Sequence, residues 1–177
     1  MKQYQFNDVL YMKKEKAIAL ENEEKEIIGV IEKADISGCE KGHVFSFTNT
    51  NGLTVRMGIK KRGIRNFLFA TYVIKTEKET YLFKDKPGNS LLYFCVKGDI
   101  NGQDIQIEEN WSKEIEVKLD KIHIATLKTS DLTFRTTILF KDNILESTIH
   151  FAVTVLMYFM YKIYKNESEF IESILFD

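Results

Sequence analysis

The densest chemistry in this 177-residue chain lies at Lys60-Lys61-Arg62-Gly63-Ile64-Arg65, where four cations crowd around a glycine. Arg offers a planar fork of donors, Lys a compact charge, and Gly lets backbone N–H groups approach an anion. Lys60, Lys61, Arg62 and Arg65 are therefore the candidate site for a phosphate or lipid head group, although the same pattern also suits a solvated hairpin end. Lys13, Lys14 and Lys16 form a second basic run, but Glu15 interrupts it and an acidic stretch, 21–26, follows.

Other reactive residue types are scattered. The three histidines, His43, His123 and His150, stand far apart and match no metal-ligand spacing. Glu108-Glu109 and Glu23-Glu24 are adjacent carboxylates, which a strand would turn to opposite faces and so keep from converging as acid and base. Cys39 and Cys95 form no C-x-x-C pair, and Cys95, within LLYFCVKG, reads as a small core hydrophobe. No phosphate-binding loop or nucleophile elbow occurs. These residues give no catalytic set, no metal site and no cofactor, so an enzyme is not expected. Trp111, in EENWSKE, suits either the closure of a barrel end or contact with a membrane interface or partner.

With 25 basic and 26 acidic residues the net charge is −1, which provides no long-range field for gathering nucleic acid. An N-terminal stretch that lacks a long apolar run and quickly becomes charged, with cysteines that suggest no disulfide framework, points to a cytoplasmic protein. The length and the 44% hydrophobic content suit one domain, 1–177, with a substantial core.

What positions these residues is mostly period-two sequence, in which one strand face is buried and the other wet. Ile115, Val117 and Leu119 alternate with Glu114, Glu116 and Lys118, and Ile105 and Ile107 alternate with Asp104, Gln106 and Glu108. About twelve strands are predicted: 3–7, 16–21, 26–33, 43–48, 53–59, 67–76, 79–84, 91–97, 104–108, 114–119, 122–128 and 132–140. Asn51-Gly52 and Asn101-Gly102 are pairs favoured by type I′ hairpin turns. Pro87 sits beside Gly88, where its missing N–H costs a loop nothing.

The period then changes. Asn143 and Glu146 resemble a capping box ahead of a helix at 144–165, and Asn166 with Glu169 suggests a short second helix at 167–176. The uncharged centre, Ser147 to Tyr161, would extend only roughly 23 Å at ~1.5 Å per residue, short of a ~30 Å membrane core. A helix apolar around most of its girth must instead be enclosed by protein, and a closed sheet of many strands can do that. The expected fold is mainly β, a closed antiparallel barrel of about twelve strands around a central C-terminal hydrophobic helix. Ile28–Ile36 also aligns without gaps to Ile124–Leu132, which suggests a duplicated sheet half.

Strand pairs such as IALENEEKEIIGVIEK and VKLDKIHIATLKTS, followed by STIHFAVTVLMYFMYKIY, resemble the tubby C-terminal-like superfamily, which includes the LURP-one-related proteins and phospholipid scramblases. The resemblance covers nearly the whole chain and is carried by architecture and patterning. It implies a twelve-stranded barrel threaded by the helix. It also implies a non-enzymatic binding module that meets anionic phospholipid head groups at the membrane surface, as a peripheral protein. The phosphoinositide-binding Lys and Arg of tubby proteins have no residue-by-residue match here, and the scramblase cysteine cluster is missing. The alternative is a protein-interaction scaffold or homo-oligomer, suggested by the apolar runs FLFATYVI (67–74) and LLYFCV (91–96). The sequence does not fix the oligomeric state.

Overall fold

The computed structural model describes residues 1–7, 17–62, 69–86, 93–130 and 135–176, with side chains placed through Glu169 except that of Ser130. Its strands are β1 (Lys2–Asn7), β2 (Ile18–Asn22), β3 (Ile27–Lys33), β4 (Cys39–Asn49), β5 (Thr54–Lys60) and β6 (Thr71–Lys75). They continue as β7 (Thr80–Asp85), β8 (Cys95–Ile100), β9 (Gln103–Glu109), β10 (Ile115–Leu119), β11 (Ile122–Ser130) and β12 (Arg135–Phe140). Each is antiparallel to its sequence neighbour, and β1 pairs with β12 from Lys2↔Phe140 to Asn7↔Arg135, which closes the barrel. Each of the twelve expected runs overlaps one of these strands; the parts of four runs at 16, 67–68, 91–92 and 132–134, and the Pro87-Gly88 turn, lie outside the described residues.

Inward residues are mostly apolar and outward ones mostly polar. On β10, Ile115 and Val117 are buried whereas Glu116 and Lys118 face out, and on β9 Ile105 and Ile107 are buried between Asp104, Gln106 and Glu108. A barrel embedded in lipid needs the reverse arrangement. Where the core is tightest, a missing side chain makes room: a Cβ on Gly98 would sit 1.8 Å from the buried Phe83 ring.

The turns follow two designs. Asn101-Gly102 is a two-residue turn with both φ positive, 55° and 84°, as expected of type I′. Asn51-Gly52 differs from the expectation. Only Gly52 has positive φ, and the loop is a three-residue turn in which the Gly52 N–H donates to the Asn49 carbonyl and the Asn49 N–H to that of Leu53. The Asn49 side chain explains the choice, because its Oδ1 accepts from the N–H groups of Asn51 and Leu53. The same turn recurs at Asn22-Glu-Glu-Lys25-Glu26 and Asn110-Trp-Ser-Lys113-Glu114. In each, the Asn side chain accepts two backbone N–H bonds and Lys takes the glycine position, at φ 63° and 60°.

One helix, α1 (Ile149–Phe176), follows the strands. It corrects two expectations. The helix starts at Ile149 and not at 144, because Thr148 is the residue that caps it: its Oγ1 accepts from the Phe151 N–H at 3.3 Å. Glu146 is engaged elsewhere, its carboxylate accepting from the Tyr4 hydroxyl and its carbonyl from the Asn49 amide. The break expected near Asn166, with a second helix at 167–176, is absent, since no Gly or Pro interrupts the run and helix continues through Asn166 to Glu169.

Every residue from Phe151 to Tyr161 is buried. At ~3.6 residues per turn this is about three turns, so no face of the helix meets solvent there. Phe151 meets Tyr4, Phe47 and Phe140, while Phe159 stacks on Phe6 and Phe45, so one helix ties β1, β4 and β12 together. Farther along, Tyr161 packs on Phe94. The helix fills the barrel, as the length argument required.

Candidate functional site

Because strand direction alternates, the C-terminal ends of odd-numbered strands and the N-terminal ends of even-numbered ones gather at the barrel end from which α1 emerges. The expected basic loop follows β5 and belongs there. Lys60 and Lys61 are exposed and form no ion pair among the described residues, whereas Arg62 turns inward with only 9% of its side chain exposed. Its Nε and Nη2 donate to Glu40 at 2.8 and 3.1 Å, and Nη1 and Nη2 donate to Glu167 of α1 at 2.9 and 2.6 Å. Arg65 lies outside the described residues, as do Lys13, Lys14 and Lys16. The structure therefore separates the described members of the predicted set. Two face solvent, and the third clasps the helix to the barrel wall.

The clasp has a partly buried electrostatic logic. Burial alone would raise the Glu40 carboxyl, but Arg62, with the His43 Nδ1 at 3.0 Å, holds it below the usual carboxylate range. The hydrogen bonds of Glu167 and Glu40 outweigh burial and keep Arg62 firmly charged. Glu40, His43 and Glu167 each offer one atom within 4.8 Å of the others, a spacing that suits a metal ion, yet the Arg62 guanidinium engages both carboxylates. A cation is already present in covalent form.

Nearby, Asp85 is buried at the end of β7, where its two oxygens accept from the Ala70 N–H at 2.7 Å and the Tyr72 hydroxyl at 3.0 Å. Burial lifts its carboxyl above the usual range, a shift only partly offset by those two donors and the Arg62 charge. Burial raises Tyr72 as well. These partners account for both Asp85 oxygens, and the pair braces β6 against β7. The cysteines are buried too, and burial pushes both thiols up, which keeps them protonated and poorly nucleophilic.

The end surface is marked by Trp111, which stands fully exposed at the tip of the β9–β10 turn beside exposed Lys113. It does not cap the barrel. The scaffold signal is weaker than its apolar runs suggest, since Phe94, Cys95 and Val96 are fully buried, while Phe69 is exposed. His123 is half-buried and bonded to Thr126 at 2.8 Å; His150 is partly buried and desolvation lowers its pKa.

A second feature was not readable from sequence. The ladder between β1 and β2 is only two residues long, Tyr4↔Asn22 and Gln5↔Glu21. Beyond it the strands part, leaving a cavity of about 240 Å³ lined by Gln5, Phe6, Asn7, Ala17, Ile18, Ala19, Glu21 and Arg135. An adjoining depression of about 360 Å³ shares Gln5, Glu21 and Arg135 and extends along the seam to Lys25.

Among the described residues no helix is long and apolar enough to cross a membrane. Comparisons with protein-family models, curated proteins and solved structures found no match to this chain.

Proposed function

We propose that this chain is a binding module without chemistry of its own, which engages an anionic phospholipid surface through the barrel end where α1 emerges. The observation that carries this reading is Trp111, the protein's one tryptophan, fully exposed on a turn at the same barrel end as the exposed Lys60, Lys61 and Lys113, which form no ion pair among the described residues. An amphipathic indole settles at head-group depth, and lysines around it gain about 1 kcal/mol each from an anionic surface. Of the acidic residues described there, Glu40 and Glu167 are occupied by Arg62, Glu114 by Lys128, and Glu109 by the Tyr161 hydroxyl and Lys165, while Asp35 and Glu169 are exposed. The absence of a membrane-spanning helix among the described residues accords with peripheral contact. Kinship with the tubby-like proteins belongs to the same proposal, supported by the closed twelve-stranded barrel and its enclosed helix.

A single tryptophan makes the test direct. Vesicles containing phosphatidylserine should shift its emission to the blue and co-sediment with the protein, while pure phosphatidylcholine vesicles should do neither. Replacing Lys60 and Lys61 by Ser should weaken co-sedimentation several-fold and leave the melting temperature nearly unchanged. Identical emission with both vesicle types would reject the lipid reading.

A further inference from the structure

We infer that Asn51 is a site of self-modification, where the backbone nitrogen of Gly52 displaces ammonia from the Asn51 side chain, and that the fold suppresses the same reaction at the second Asn-Gly pair, Asn101-Gly102. The site lies at the barrel end opposite the emergence of α1 and does not depend on the lipid reading.

The chemistry needs only the chain and water. The Gly52 nitrogen attacks Cγ of Asn51 and forms an N–C bond. The Cγ–Nδ2 bond breaks, and ammonia leaves with the proton that the Gly52 nitrogen gives up. Water then opens the cyclic imide at either carbonyl. One opening gives an aspartyl residue, and the other an isoaspartyl residue whose backbone runs through the former side chain. A following glycine favours ring closure, because no Cβ shields its nitrogen. Both pairs are exposed and both carry that glycine, so residue type ranks them equally.

Their surroundings rank them differently. The attacking nitrogen must lose its proton, and the Gly102 N–H donates to the Asp99 carboxylate at 2.9 Å, whose charge opposes that loss. The Gly52 N–H donates instead to the neutral Asn49 carbonyl, at 3.1 Å. The group under attack differs as well. The Asn101 side-chain amide is hydrogen-bonded to the Tyr81 hydroxyl at 3.0 Å, whereas that of Asn51 has no hydrogen bond among the described residues. Ring closure also needs the backbone to swing. Asn101-Gly102 is clamped by the ladder pair Ile100↔Gln103 on either side of it, while the β4–β5 ladder ends farther out, at Thr48↔Thr54.

The product acts on what the turn supports. An isoaspartyl link lengthens the backbone between Asn49 and Leu53, the span that the Asn49 Oδ1 bridges through the N–H groups of Asn51 and Leu53. The Asn49 amide in turn holds the Glu146 carbonyl ahead of α1, so the modification loosens the start of the helix.

The test holds the full chain at mildly alkaline pH and maps its peptides by the mass gained when an amide becomes an acid. Enzymatic methylation of isoaspartyl carboxylates gives a second readout. Folded protein should react at Asn51 at least tenfold faster than at Asn101, and in urea the two rates should converge. Asp99→Asn should speed the reaction at Asn101 several-fold, and Asn51→Gln should remove most of the isoaspartyl signal while keeping the melting temperature of the parent. Isoaspartyl protein should melt below the parent, whereas Asn51→Asp, which adds charge without lengthening the backbone, should melt with it. Folded protein that reacts as fast at Asn101 as at Asn51 would overturn the assignment of the site. An unchanged rate at Asn101 in Asp99→Asn would overturn the role of the carboxylate, and isoaspartyl protein that melts with the parent would overturn the link to the helix.

Discussion

Asn22, Asn49 and Asn110 each hold a three-residue turn by accepting two backbone N–H bonds, and two of these turns place Lys where glycine is easiest. Asn110→Ala removes both bonds and should cost about 1 kcal/mol, whereas Lys113→Gly relieves a positive φ and should gain up to about 1 kcal/mol. Urea unfolding of the two variants checks both signs. Asn49→Ala should cost more than Asn110→Ala, because Asn49 is buried and its amide donates to the Glu146 carbonyl, which the change would leave unpaired, whereas the half-buried Asn110 amide donates to the Glu116 carboxylate, which water can reach. The carboxyls of half-buried Glu40 and buried Asp85 make opposite contributions to pH dependence. Glu40 is held low by Arg62, so its stabilisation is complete above the ordinary Glu pKa and is lost as pH falls through its depressed folded value. Asp85 is raised by burial, so its cost is present above its folded pKa and disappears as pH falls below it. Glu40→Gln should lose about 1–2 kcal/mol at neutral pH, a difference that shrinks in acid, and Asp85→Asn should remove the loss of stability that sets in as pH rises above the ordinary Asp pKa. Melting temperatures measured across pH 3–8 separate the two; parallel curves would contradict both assignments. Arg62 shows what residue type alone conceals. Its charge was legible in the sequence as part of a basic loop, but its direction was set by Glu40 and Glu167, two residues far away in the chain.

At the level of elements, α1 contributes the hydrophobic centre that the strand faces were patterned to cover. Val155 and Leu156 are fully buried in it, so Val155→Asp or Leu156→Asp places a carboxylate without a partner in an apolar enclosure. The cost is several kcal/mol, on the order of a domain's whole stability. Either variant should be recovered largely insoluble, as should a chain ending at Asn143, whose strands would have nothing to enclose. A soluble, cooperatively melting chain ending at Asn143 would show that the barrel stands without its helix. The strands were legible because a period of two with one buried face leaves little freedom of register. The helix start was not, because Asn143 and Glu146 mimic a capping box while Tyr4 and Asn49 claim Glu146 from across the barrel. The second helix was misread because Asn166 is tolerated within a helix whose next turn is anchored through Glu167. The β1–β2 seam left no trace in local pattern, since it depends on how far two strands stay together after the barrel has closed. The repeated Asn-x-x-Lys-Glu of two turns, at Asn22 and Asn110, was present in the sequence and required only comparison at long spacing.

For the whole molecule, the segments 28–36 and 124–132, aligned for their sequence likeness, supply the second strands of two hairpins, β2–β3 and β10–β11. Each hairpin has a register shift in its first strand, between Leu20 and Glu21 and between Val117 and Lys118. The likeness thus extends to backbone irregularity. The largest consequence follows from the pairing of β1 with β12. The two strands that complete the wall lie at opposite ends of the strand series, and the helix that fills it comes later still. No growing chain can assemble this barrel progressively as it leaves the ribosome. Until the helix has been synthesised, a dozen half-apolar strands wait without the core they enclose, and their apolar faces stay open to association. Its maturation is a single late event, slow in the manner of folds dominated by distant pairings.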